Sequence, residues 1–169
     1  MFVLVVDGYN IIGAWEELQK LKEKDIGQAR DKLIESMAEY QSYSGFRVIV
    51  VFDAYYVKGI ESKHKSYKVE VIYTKENETA DECIERLVKG LKNVKNQVYV
   101  ATSDYAEQRT IFGRGALRKS ARELYIEFKD FEREIEKDIE AHKKVQPKIR
   151  IPLKKEVHEK FEKWRRGDK

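Results

Sequence analysis

Near-continuous apolar runs punctuate the first two-thirds of the chain: FVLVV at 2–6, FRVIVVF at 46–52, YKVEVIY at 67–73 and QVYVAT at 97–102. Their length and their Val and Ile content predict strands covered on both faces. Between the first two runs, Ala29, Leu33, Ile34, Met37 and Tyr40 recur at helical spacing, with Gly45 as the stop. Between the third and fourth, Ala80, Ile84, Leu87, Val88 and Leu91 do the same. The order is therefore β-α-β-β-α-β with a helical tail. Right-handed crossovers place the helices on the sheet faces and align most strand ends on one edge, an α/β fold with a mainly parallel central sheet.

The tail begins with a short helix after Asp104, reaching about residue 112, and a turn flanked by Gly113 and Gly115. From about residue 116 a long helix is expected, with Ala121, Leu124, Phe128, Phe131, Ile135 and Ile139 as its buried stripe. Pro147 and Pro152 should bracket a short extended link before a last amphipathic helix carrying Val157, Phe161 and Trp164.

The chain's 169 residues suit one domain with a single core. A composition of 41% hydrophobic and 38% charged residues excludes disorder, and no apolar run approaches the roughly 20 residues of a membrane span. A single cysteine, Cys83, excludes an internal disulfide and makes a reducing cytoplasm the expected home. Its position in a helical stripe predicts packing. Net charge is +4, unevenly spread: residues 1–113 carry −2 and residues 114–169 carry +6. A basic face beside acidic residues suits a polyanion such as nucleic acid, although the alternating charges around 129–144 read better as a solvated helix surface.

The acidic residues lie where strands end. Asp7 and Asn10 follow the first run in VLVVDGYN, Asp53 follows the second, Asp104 the fourth, and Asp81 opens a helix in ENETADE. Carboxyl ends of parallel strands gather at one edge, the usual place for a site in such sheets. Carboxylates gathered there repel unless a cation holds them, and an all-oxygen set suits Mg2+ or Mn2+. Each acid also has a structural reading. Asp7 could shape a turn with Gly8, and Asn10 could brace that loop. Asp81 sits in a capping box, Thr79 with Glu82, and Asp104 could cap the helix that follows, while Ser103 could aim its hydroxyl at a metal-bound water as a supporting residue or serve as an ordinary cap. The crowding of Glu76, Glu78, Asp81 and Glu82 exceeds what capping needs.

Basic residues follow in RTIFGRGALRKSAREL: Arg109, Arg114, Arg118, Lys119 and Arg122. Arginine forks match phosphate oxygens, and open glycine backbone adds donors, so this segment is the candidate nucleic-acid contact. A helix face decorated with charge is the plain alternative for Arg118, Lys119 and Arg122. Tyr9, Tyr55 and Tyr56 sit in loops where they could stack bases. His64, His142 and His158 carry no assigned role. There is no P-loop, no GxGxxG after the first strand, no zinc spacing and no Ser-His-Asp arrangement.

The segments VVDGYNIIGAW, VVFDAYYVKG, VEVIYTKENETADE, VATSDYAEQ and FGRGALRKSAREL, in this order, together with the closing FEKWRRGD, resemble the NYN/YacP family of PIN-like endoribonucleases. The resemblance covers nearly the whole chain. It implies a three-layer α/β/α PIN-like domain and puts the metal-binding, catalytic role on Asp7, Asp81 and Asp104, with Asn10 supporting. Asp53 and Glu78 are candidates for a fourth acid. It also implies messenger RNA on the ribosome, at the A site, as substrate. A monomer in the cytoplasm, with no membrane association, is the expectation that goes with the cysteine and hydropathy readings above. Three rivals stand beside this reading. One is a non-catalytic RNA-binding or ribosome-binding module of the same fold. A phosphoacceptor receiver domain lacks here a second acid beside Asp7 and a lysine after a late strand. A D-x-D phosphatase fails because Tyr9 stands where the second Asp should be.

Overall fold

The computed structural model describes residues 1–54, 69–104, 113, 115–149, 163, 165 and 167, with side chains described through residue 143 of the long helix. The elements are β1 (Phe2–Asp7), α1 (Gly8–Ala14), α2 (Glu16–Lys24), α3 (Ile26–Ser44), β2 (Arg47–Phe52), β3 (Glu70–Tyr73), α4 (Ala80–Leu91), β4 (Gln97–Ala101), β5 (Leu117–Lys119) and α5 (Ala121–Ile149). By its internal packing the chain divides into two units, Met1–Phe131 and Glu132–Lys169.

The sheet belongs to the first unit. It is five-stranded and wholly parallel, in the order β3-β2-β1-β4-β5. Side chains alternate between two cores, as a strand covered on both faces requires. Leu4, Val6, Val48, Val50 and Phe52 point to one side and pack with Ile11, Trp15, Leu33, Met37 and the start of α5. Val3, Val5, Ile49 and Val51 point to the other and meet Cys83, Ile84 and Val88 of α4. The result is the expected α/β/α sandwich. Cys83 is fully buried, and that burial pushes its thiol pKa up.

Helix ends obey local chemistry. Gly45 closes α3 at φ 75°, a left-handed conformation that suits glycine. Thr79 Oγ1 accepts the Glu82 N–H at 3.2 Å, the cap predicted for α4. Ser120 Oγ accepts the Glu123 N–H at 3.1 Å, so this hydroxyl caps α5.

Four features depart from expectation. α1 and α2 occupy a stretch to which no element was assigned. Residues 117–119 form a strand, and the long helix starts at Ala121 rather than about 116. That helix runs through Pro147 to Ile149 instead of breaking there, the proline falling in its last turn. The apolar stripe is buried at Ala121, Leu124 and Phe128 but gives out along the helix, where Ile139 is 49% exposed. The helix expected between Asp104 and residue 112, the Pro152 end of the link and the helix around Trp164 lie outside the described residues.

Candidate functional site

Strand order reverses at β1: the chain steps from β1 to β2 and β3 on one side, then returns through α4 to place β4 on the other. The crevice between the carboxyl ends of β1 and β4 is the topological switch point, where sheets of this class bind ligands. Asp7 is the last residue of β1, one position past the Val6–Ala101 pair, and only 8% exposed. Gly8 follows it because β2 passes too close for any side chain. A Cβ there would overlap the Phe52 ring and sit 3.0 Å from the Val51 carbonyl oxygen. The chain thus turns straight from β1 into α1, which brings Asn10 to the edge.

Across the crevice, the buried Thr102 receives Lys119 as its backbone partner, donating its N–H to the Lys119 carbonyl at 3.1 Å. Its Oγ1 accepts the Asp104 N–H, also at 3.1 Å, which shapes the loop that carries Ser103 and Asp104. Asn10 Oδ1 accepts the Ser103 N–H at 2.6 Å and ties the two sides together. Ser103 and Asp104 are exposed, unlike Asp7. Thr74 does on β3 what Thr102 does on β4: buried, it accepts the Ala54 N–H on Oγ1 at 2.9 Å and fixes the turn that carries Asp53 out of β2. Neither threonine was singled out in the sequence, although a threonine ending an apolar run just before a site loop is a usable signal.

The remaining acids differ in their surroundings. Asp81 is exposed in the first turn of α4, where a carboxylate is favoured by the helix dipole. Glu78 is committed elsewhere: Arg86 donates to both of its oxygens at 3.0 and 3.3 Å, and this guanidinium holds the Glu78 carboxyl below its usual pKa. Asp53 is half-buried and close enough to Tyr9 to raise the phenol's pKa. Oxygen donors at this edge have the chemistry a hard divalent cation prefers. Among the described residues, however, no three His, Cys, Asp or Glu side chains stand together as a group able to hold a metal ion. Asp7, Asp81 and Asp104 share the edge without converging as they stand.

Of the basic candidates, Arg118 and Arg122 are exposed, Arg118 beside Val100 of β4 and Arg122 in the first turn of α5. Lys119, expected on the same RNA-facing surface, is turned inward and 8% exposed. Its Nζ donates to both Glu127 oxygens at 2.9 and 2.7 Å and to the Tyr40 hydroxyl at 3.3 Å, surrounded by the Tyr40, Phe46 and Tyr99 rings. An ammonium so enclosed has no face left for a phosphate. Arg109, Arg114, Tyr55 and Tyr56 lie outside the described residues. One cation missed in the sequence reading stands at the edge itself: Arg30, on the second turn of α3, donates to the Tyr9 hydroxyl at 3.1 Å.

Comparison with known proteins covers almost the entire chain. Residues 4–166 match the family described as the YacP-like NYN domain. A Bacillus subtilis (strain 168) protein, described as "Uncharacterized protein YacP", is 58% identical over 168 residues, covering 99% of each chain. The crystal structure of Rae1 (YacP) from Bacillus subtilis superposes with a TM-score of 0.80 at 58% identity, over 99% of this chain and 97% of that one. Its W164L mutant superposes with a TM-score of 0.75 at 55% identity over the same shares.

Proposed function

Since the chain belongs to the YacP-like NYN domain family, whose fold is nuclease-like, we propose that it is an endoribonuclease that hydrolyses phosphodiester bonds of messenger RNA on the translating ribosome. The observation that carries this reading is the placement of Asp7 and Asp104 on opposite sides of the switch point, with their loops joined by Asn10 and Ser103.

Hydrolysis of a phosphodiester needs a polyanion brought to acidic side chains, a water oriented for attack and compensation of the charge that builds on phosphate. The exposed Arg118 and Arg122 supply positive charge on the β4 and β5 side, and Arg114 and Arg109 belong to the same basic segment of the sequence. Asp7, held by its strand, and Asp104, on the loop fixed by Thr102, would orient water at the crevice. Asp81 approaches from α4. Mg2+ or Mn2+ is the proposed cofactor, with Asp7, Asp81 and Asp104 as its ligands once drawn together. Such an ion would neutralise the carboxylates and acidify a bound water. The protein would act in the cytoplasm as a monomer. Among the described residues no helix is long and apolar enough to cross a membrane.

The absence of a three-acid group among the described residues favours one alternative, a non-catalytic module that binds ribosome or RNA through the same surface. A single assay separates the two: purified protein with ribosome-bound and free messenger RNA, with Mg2+, with Mn2+ and with chelator. Cleavage that requires metal and disappears in Asp7→Asn, Asp81→Asn and Asp104→Asn supports the nuclease. RNA bound but uncut under every condition supports the module. Undiminished cleavage by any one variant removes that residue from the assignment.

A further inference from the structure

On the β2 side of the switch point three rings run across the strand ends. Tyr9 tilts against Phe52 at 5.2 Å between centroids, and Phe52 stacks on Tyr73 at 5.8 Å. Tyr9 stands two residues after Asp7, and Asp53 follows Phe52 directly, so this ledge adjoins the acidic edge.

Arg30 reaches this point because α3 starts at the carboxyl edge and runs back to feed β2. Its Nη1 donates to the Tyr9 oxygen at 3.1 Å. Arg47 and Arg86 each commit their forks to a glutamate, Glu70 and Glu78. Arg30 has no carboxylate within ion-pair distance among the described residues, and the nearest acid before it on its own helix, Asp25, accepts the Gly27 N–H as N-cap. A half-buried guanidinium, oriented by the Tyr9 hydroxyl and not closed in an ion pair, keeps donors for an anion with fork-matching geometry.

From this geometry we infer that Arg30 is a phosphate-binding residue, taking a backbone phosphate of the RNA strand on the β2 side of the crevice, with Tyr9 as its positioning residue. The inference rests on the proposed RNA substrate. It gives the strand a contact on the opposite flank from Arg118 and Arg122, so that the scissile phosphate is held between two anchored neighbours over Asp7.

The test is equilibrium binding of a labelled single-stranded RNA of mixed sequence by fluorescence anisotropy, with chelator present to keep the strand intact, across a series of KCl concentrations. Arg30→Ala should bind about tenfold more weakly, and the slope of log affinity against log salt should fall by about 0.7, one phosphate contact on a single strand. Arg30→Gln, which keeps side-chain volume, should match it if the alanine variant is poorly folded. Tyr9→Phe should weaken binding less, because the charge persists. Arg47→Ala, removing a paired arginine at the far end of β2, should change neither quantity. An unchanged salt slope in folded Arg30 variants, whatever their affinity, overturns the inference and leaves the nuclease reading standing. A wild-type protein that binds no RNA overturns both.

Discussion

The Asn10 side-chain oxygen accepts the Ser103 backbone N–H at 2.6 Å, joining positions 93 residues apart in the chain. Asn10 therefore braces the loop that carries Asp104 against the start of α1. Replacing it by alanine leaves that N–H without its partner and should lower stability by about 1 kcal/mol, measured by urea unfolding. Cleavage should fall further than this loss explains, because the loop is no longer tied. Asn10→Asp keeps an acceptor and should retain the stability. Equal losses in both variants would show that the bond does not hold the loop.

Lys119 and Glu127 make the second prediction. Removing Glu127 leaves an enclosed ammonium without its counter-charge, and Glu127→Ala should cost about 1–3 kcal/mol, less than the roughly 3–5 kcal/mol of a fully buried pair because Glu127 is 39% exposed. Lys119→Met, which fills the same space without charge, should be milder. Neither change should alter the salt slope of RNA binding. A reduced slope in Lys119→Met would return this lysine to the RNA surface.

Much of this fold could be read before any coordinates. β1, β2 and β4 announce themselves because they are buried on both faces and so lack polar interruptions. β5 is invisible for the opposite reason: Leu117, Arg118 and Lys119 carry no apolar run, and the strand exists because β4 offers an open edge to pair with. The acids at the strand ends stood out because carboxylates are poor strand material. Lys119 was misjudged because an inward lysine and its outward neighbours look identical in a basic segment, and only packing against Tyr40, Phe46 and Tyr99 separates them. Arg30 escaped notice because its place at the edge comes from the path of a crossover helix, which no local pattern encodes.

Glu78 gives a prediction with a pH axis. Its carboxyl is held below the ordinary value of 4.5 chiefly by the Arg86 hydrogen bond. A folded-state pKa lowered in this way contributes stability that is fully present above 4.5 and is lost as pH falls through the lower folded value. The difference in melting temperature between wild type and Glu78→Gln should thus be constant near neutrality and shrink on acidification below that range. Because its carboxylate is occupied by Arg86, Glu78→Gln should also cleave RNA at nearly the wild-type rate. Loss of cleavage without loss of stability would restore it as the fourth acid.

Gly8 tests the turn beneath Asp7. A Cβ at this position overlaps the Phe52 ring, so Gly8→Ala should destabilise the protein by about 1–3 kcal/mol, as overpacking does in a dense core. Pairing it with Phe52→Leu should recover part of the loss. No recovery in the double variant would place the strain in the backbone rather than against the ring.

The central position of β1 also sets an order on biosynthesis. Its partner β2 follows within one crossover, but β4, which pairs Phe2 with Gln97, is made about 95 residues later. At the usual elongation speed this is a delay of roughly 5–20 s, during which a strongly apolar strand presents one unpaired side. Pauses in translation ahead of β4 lengthen that exposure, and pauses after it do not.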